Sequence, residues 1–260
     1  MIDPREARRL NRAYWDAIAE AYQRENATDL EDALRWGPGL AGEETLRALG
    51  PEGVRGKEVL ELGCGGGQGA VWAARAGARR VVGVDLSPAQ LAHAREHAAS
   101  RGVAVEWREG TLEDLAFAPD ASFDVVFSAF AMGFVPDAAK AFREAHRVLR
   151  PGGVFAFSWS SPAFERTTLT ADGMLIVTRS WFDRAPFTEA DDAGRTVEYP
   201  RTHGEWLALL VDAGFAVEAL LEPAPEKEST WRASHPLAKT SMVPAASIWR
   251  ARKPTRDNRS

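Results

Sequence analysis

Residues 57–85 read as strand, glycine turn, helix and strand, an order that leaves few folds open. The apolar run Val59-Leu60-Glu61-Leu62 opens into Gly63-Cys64-Gly65-Gly66-Gly67-Gln68. A helix-like segment follows as far as Gly77, and a second apolar run, Val81-Val82-Gly83-Val84, ends at Asp85. An acid about 20 residues beyond a glycine-rich turn is the pattern of a nucleotide-binding βαβ unit. Glycine in the turn lets backbone approach a ligand that a Cβ would obstruct. A carboxylate at the tip of the second strand can accept hydrogen bonds from both hydroxyls of a ribose.

The alternation continues beyond this unit. Ser87-Pro88-Ala89-Gln90 combines an N-cap, a first-turn proline and a capping-box glutamine, predicting a helix to about Ser100. A strand near 103–108, a strongly apolar one at 123–128, a helix near 137–149 and a strand at 154–159 follow. Strands apolar on both faces, alternating with helices, predict an α/β fold in which a parallel sheet is covered on each side. Ahead of the unit, Asp3 caps a helix that starts at Pro4 and carries apolar residues at helical spacing. A short helix is expected from Glu43 to Leu49. The regularity breaks between 160 and 201, where 174–182 and 194–199 read as the two strands of one inserted hairpin. Thr202 and Glu205 cap a further helix, and strands near 215–222 and 244–251 complete the chain.

A formal net charge of −5 over 260 residues gives no electrostatic reason to expect nucleic acid as a partner. The N-terminus lacks the apolar core of a secretion signal and no stretch reaches membrane-spanning length. The single cysteine, Cys64, excludes an intrachain disulfide framework and a multi-cysteine metal site. These features predict a cytoplasmic protein with a small-molecule partner, no membrane and no metal.

The register Gly65-x-Gly67-x-x-Ala70 satisfies the dinucleotide fingerprint, so NAD is one candidate. Glu61 argues against it, because a carboxylate at the mouth of the phosphate position would repel a pyrophosphate. It suits a ligand with a cationic amino-acid end beside an adenosine, which describes S-adenosylmethionine. The chain resembles the class I S-adenosylmethionine-dependent methyltransferases, especially the small-molecule branch that includes quinone methyltransferases. The resemblance is carried in order by Glu61-x-Gly63-x-Gly65-x-Gly67, Val84-Asp85-Leu86-Ser87, Gly110-Thr111-Leu112-Glu113-Asp114-Leu115, Ser122-Phe123-Asp124-Val125-Val126 and Arg147-Val148-Leu149-Arg150-Pro151-Gly152-Gly153.

The resemblance implies a Rossmann-like, seven-stranded, mostly parallel sheet with the last strand antiparallel. It also implies a helical lid at 1–41 and a methyltransferase domain at 42–252 with a lid insertion at about 160–201, while the polar composition of 253–260 predicts a disordered tail. The glycine loop, Cys64 and Glu61 would lie near the methionine end and Asp85 on the ribose. Leu86 would line the adenine, with Thr111, Leu112 and Glu113 at its edge. Thr111 stands where many relatives have an aspartate bonded to the adenine amino group, whereas Leu112 can still donate its backbone N–H. Tyr22 is carried over as facing the methionine end.

Ser128, Ala129 and Phe130 follow the fourth strand, where the mouth of the site should lie. Tyr14, Trp36, Phe134, Trp159 and Trp181 are candidate pocket aromatics, although large aromatics usually belong to cores. His203, at the end of the insertion, and Tyr22 are the candidates for a catalytic base, and His235 ranks below them. His93, His97 and His146 read as helix-face residues. The expected activity is methyl transfer to a small organic molecule by in-line displacement, yielding S-adenosylhomocysteine. The alternatives are a noncatalytic protein that binds the same cofactor, or an NAD-linked oxidoreductase.

Overall fold

The computed structural model describes residues 2–27, 33–226 and 235–255. In chain order the elements are α1 (Pro4–Glu25), α2 (Glu43–Leu46), β1 (Glu58–Leu62), α3 (Gln68–Arg75), β2 (Arg80–Asp85), α4 (Pro88–Ser100), β3 (Glu106–Glu109) and β4 (Phe123–Ser128). A 3-10 turn at Met132–Phe134 leads to α5 (Ala138–Val148), β5 (Leu149–Ser160), α6 (Pro162–Glu165), β6 (Thr167–Leu169), β7 (Leu175–Val177), β8 (Phe187–Asp191) and β9 (Gly194–Glu198). The chain closes with α7 (His203–Asp212), β10 (Ala216–Leu221), α8 (Leu237–Thr240) and β11 (Ala246–Arg252).

Seven strands form one sheet in the order β10-β11-β5-β4-β1-β2-β3. Only β11 runs against its neighbours, pairing antiparallel with both β10 and β5. The two-residue strand period explains why the central strands are apolar on both faces. Leu60, Val82 and Val126 point into a core beneath α5 and α7, whereas Val59, Val81 and Val125 point into a second core beneath α2 and α3. The strands therefore end between two packed layers, with the loops that follow β1, β2 and β4 gathered at one edge.

Several local expectations are altered by side chains that compete for backbone groups. The helix expected to reach Leu49 stops at Leu46 because the Glu43 carboxylate accepts the N–H groups of Ala48 and Leu49, each at 2.9 Å. Gln90 makes no reciprocal capping-box bond. Ser87 Oγ accepts Gln90 N at 3.0 Å, but the Gln90 side chain accepts instead from Gln23 Nε2 at 2.8 Å. At Thr202 and Glu205 both halves of the box are made.

The insertion contains two hairpins, not one. β6 pairs with β7 and β8 with β9, so the two strands read from the sequence belong to different hairpins. In the tail expected to be disordered, Lys253 Nζ donates to His146 O and Leu149 O, both at 2.8 Å; residues 256–260 lie outside the described residues. Among the described residues no helix is long and apolar enough to cross a membrane.

Candidate functional site

A cavity of about 980 Å³ opens where the loops after β1, β2 and β4 meet α1 and the insertion. One end of it is built from the glycine loop. Gly67 caps α3 in the left-handed region, at φ 81°, and a Cβ there would lie 2.6 Å from the Trp107 ring. Gly69, two residues on, was not singled out from the sequence, yet a Cβ on it would lie 2.4 Å from Glu61 Oε1. The bare turn lets the Glu61 carboxylate tuck under the start of α3, where Ala70 N–H donates to it. Glu61 Oε2 has no hydrogen-bond partner among the described residues. Burial above all, and then Asp85, push the Glu61 carboxyl well above the usual carboxylate range.

Asp85 Oδ2 accepts Gly65 N at 2.7 Å and Oδ1 accepts Ser87 N at 2.9 Å. Burial still raises its pKa against these bonds. Cys64 lines the same wall, and burial followed by Asp85 pushes its thiol well up, so the group stays a thiol. Leu86, Thr111, Leu112 and Glu113 continue the lining. Glu113 is taken by Arg8 of α1 at 2.9 Å.

Three glutamines cross the loop and were not anticipated. Gln68 Nε2 donates to Gln23 Oε1 at 2.6 Å, and Gln23 Nε2 donates to Gln90. Gln68 follows the glycines directly, so its place was readable. Gln23 and Gln90 depend on how α1 docks, for which no local signal exists.

The far end is aromatic. Trp159 packs against Phe130 at 5.0 Å and Phe134 at 4.9 Å between centroids, and Trp15 reaches Phe134 at 5.6 Å. Phe130 holds φ at +60°, uncommon for a bulky side chain. Its N–H donates to Ser158 Oγ at 3.0 Å, which helps hold that conformation.

The cavity lining includes Tyr14, Tyr22, Glu61, Gly63, Gly65, Asp85, Ala129, Phe130, Phe134 and Trp159 from the sequence-based set. Five other candidates lie outside it, Gly67 among them, where it caps α3. Trp36 is fully buried in the second core, with Nε1 donating to Glu43 at 2.8 Å. Ser128 is fully buried in its strand. Trp181 lies beneath the Arg166 guanidinium, 5.3 Å from the ring centroid. His203 Nε2 meets Ser247 Oγ at 2.7 Å, outside the lining. The histidine at the cavity is His235, stacked on Phe164 at 4.7 Å. Burial, then Lys239, bring it down to about 4, so its ring is neutral at pH 7. Among the described residues no group of His, Cys, Asp or Glu could hold a metal ion.

The chain is 30% identical to an S-adenosylmethionine dependent methyltransferase from Mesorhizobium loti, over 80% of this chain and 96% of that one, with a TM-score of 0.65. The chain belongs to the class I S-adenosylmethionine-dependent methyltransferases. Residues 60–157 match the family described as methyltransferase domain. A ubiquinone biosynthesis O-methyltransferase of Pseudomonas aeruginosa is 44% identical over 101 residues, covering 39% of this chain. That match spans 43% of the curated relative's length. The [4+2]-cyclase SpnF, 20% identical with a TM-score of 0.64 over 96% of this chain and 97% of its own, shares the fold alone.

The cofactor of this methyltransferase family is S-adenosylmethionine, and the residues present fit it. The orphaned Glu61 oxygen offers an acceptor for an ammonium, and the glycine turn leaves backbone open to a ligand. The dinucleotide match of Gly65-x-Gly67-x-x-Ala70 is a coincidence of spacing, since the same turn holds a buried carboxylate.

Proposed function

We propose that this methyltransferase transfers the methyl group of S-adenosylmethionine to a small organic molecule, within a chamber roofed by α1 and the 160–201 insertion. The observation that carries this reading is the continuity of one cavity from Glu61, Gly65 and Asp85 to Phe130, Phe134 and Trp159. Glu61 would hold the ammonium and Asp85 the ribose hydroxyls. Leu86, Thr111 and Leu112 would receive the adenine, with Leu112 N–H at its edge.

When bound, the cofactor supplies a methyl group on a sulfonium, an electrophile with a good leaving group. The protein's part is to orient the acceptor and exclude water. No residue need act as a strong base. Tyr14 donates to Asp191 at 2.8 Å, and burial followed by that bond pushes its hydroxyl up to about 12. His203 faces Ser247, whereas Tyr22 and His235, two of the candidate bases, are at the cavity.

Calorimetric titration with S-adenosylhomocysteine and with NADH tests the cofactor reading. Selective binding of S-adenosylhomocysteine is expected, and selective binding of NADH overturns the proposal. A screen of small molecules with labelled methyl donor then reads turnover. Cofactor binding without transfer to any member would favour a binding protein.

A further inference from the structure

Hairpin β8–β9 turns one face to the cavity. Pairing across it sets Phe187 opposite Glu198 and Glu189 opposite Thr196, and all four side chains line the cavity. The two-residue strand period thus brings carboxylates and a hydroxyl to one wall.

Glu198 has neither a hydrogen bond to its carboxylate nor an ion pair among the described residues. The charged groups acting on it are Glu189, Glu165 and Arg179. Arg179 is engaged elsewhere, 4.0 Å over the Phe187 ring and 4.0 Å from the Asp183 carboxylate. Thr196 is 5% exposed, and its hydroxyl has no hydrogen-bond partner among the described residues. Glu165, at the end of α6, has a side chain 6% exposed; its Oε1 accepts the Trp159 indole N–H at 2.9 Å and its Oε2 pairs with the buried Arg166 at 3.4 Å.

Nearby cations are committed as well. Lys239 Nζ donates to Phe164 O at 2.8 Å and Thr167 O at 2.6 Å, and Arg8 holds Glu113. Among the described residues the Glu198 carboxyl, beside an aromatic floor, is therefore left without a cation partner.

We propose that Glu198 seats the protonated amine of the methyl acceptor, with the Arg166-paired Glu165 behind it, the Thr196 hydroxyl accepting a further N–H and Trp159, Phe130 and Phe134 carrying the apolar body. This rests on the reading of the cavity as the acceptor chamber. An unpaired carboxylate in a low-dielectric wall is costly, and an ammonium relieves that cost while making charge-assisted hydrogen bonds. Aromatic faces add attraction for a cation. Burial lifts Glu198 to about 8 and Glu165 to about 7 in the ligand-free chain, and a bound cation would bring both down. An acceptor bearing a carboxylate would meet repulsion instead. The match to the methyltransferase domain family ends at residue 157, so this wall lies outside it.

The test uses the protein saturated with S-adenosylhomocysteine and three near-isosteric probes: 2-phenylethylamine, 2-phenylethanol and 3-phenylpropanoate. Titration calorimetry is expected to show the amine binding about tenfold or more tighter than the other two. Glu198→Gln should weaken the amine about tenfold and leave the alcohol nearly unchanged, with Glu165→Gln shifting it in the same direction. Unchanged S-adenosylhomocysteine affinity shows that each variant is folded. Thr196→Val supplies a second probe of the same wall and should lower amine affinity several-fold. Equal binding of amine and alcohol, or amine affinity untouched by both glutamine variants, overturns the inference. Failure of the unaltered protein to bind S-adenosylhomocysteine overturns the proposed function along with it. Intact cofactor binding without amine selectivity overturns this inference alone.

Discussion

Glu61 has a carboxylate oxygen buried without a partner, in a position the protein would be more stable without. Its folded-state pKa is raised, so at neutral pH its ionised form is disfavoured in the native state relative to the unfolded chain. Glu61→Gln removes that penalty along with the charge that we propose meets the cofactor's ammonium. The expected outcome is a ligand-free Tm higher by about 2–4 °C with S-adenosylhomocysteine affinity reduced about tenfold, read by calorimetry. A variant that loses both stability and affinity would instead mark Glu61 as structural.

Glu198 shows a related effect in its pH dependence. The native state keeps the proton up to about 8, whereas the unfolded chain releases it near 4.5. Between those values the native state binds more protons, so this contribution favours folding below 4.5 and is lost as pH rises through 8. The groups acting on Glu198 are Glu189, Glu165 and Arg179, and Glu165 titrates in the same sense at about 7. Glu198→Gln should therefore raise Tm by about 3 °C at pH 9 and change it little at pH 4.5. Thermal scans at the two pH values decide it.

Among the elements, α1 is the one that ties the site together. Its side chains reach every part of the rim: Arg8 to Glu113, Tyr14 to Asp191, and Gln23 to Gln68 and Gln90. Asp16 accepts Ser87 Oγ at 2.6 Å. Asn11 is the most deeply placed. Its Oδ1 accepts Val197 N at 2.6 Å, while its Nδ2 donates to Val197 O at 3.1 Å and Phe134 O at 3.3 Å. Asn11→Leu would leave these backbone groups unpaired at about 1–3 kcal/mol each. A Tm lower by about 2–4 °C per kcal/mol follows, with faster hydrogen exchange at the Val197 amide. An unchanged exchange rate there would show that β9 is held by other contacts.

The alternation of strands and helices was legible because the two-faced strands and their glycine turns are local signals. Glu61 and Asp85 were legible for the same reason, each fixed by its place beside a turn. Trp36 was not, because its indole is claimed by Glu43, whose carboxylate also ends α2 early. Gly69 was hidden because its need arises from a side chain of another element.

Across the whole molecule, the two structures that line the outer side of the cavity come from distant parts of the sequence, 4–25 and 167–198. They touch through α1 and β9. A ligand that orders one should therefore order the other. Hydrogen exchange with saturating S-adenosylhomocysteine should protect α1 and β8–β9 together. Protection confined to the glycine loop would show that the roof is not one unit. The family domain stops at residue 157, which explains why the glycine-loop end of the cavity was legible in the sequence and the β8–β9 end was not. The first follows recurrent turns, and the second is assembled from side chains that meet only on folding.

The outer backbone groups of β9 are met by Asn11 at Val197 and by Gly133 O at Tyr199 N. A two-stranded ribbon with an open flank is a template for pairing with another chain. One amide side chain on a helix thus stands in for a missing third strand. Its loss would surface first as concentration-dependent self-association, before any change in chemistry.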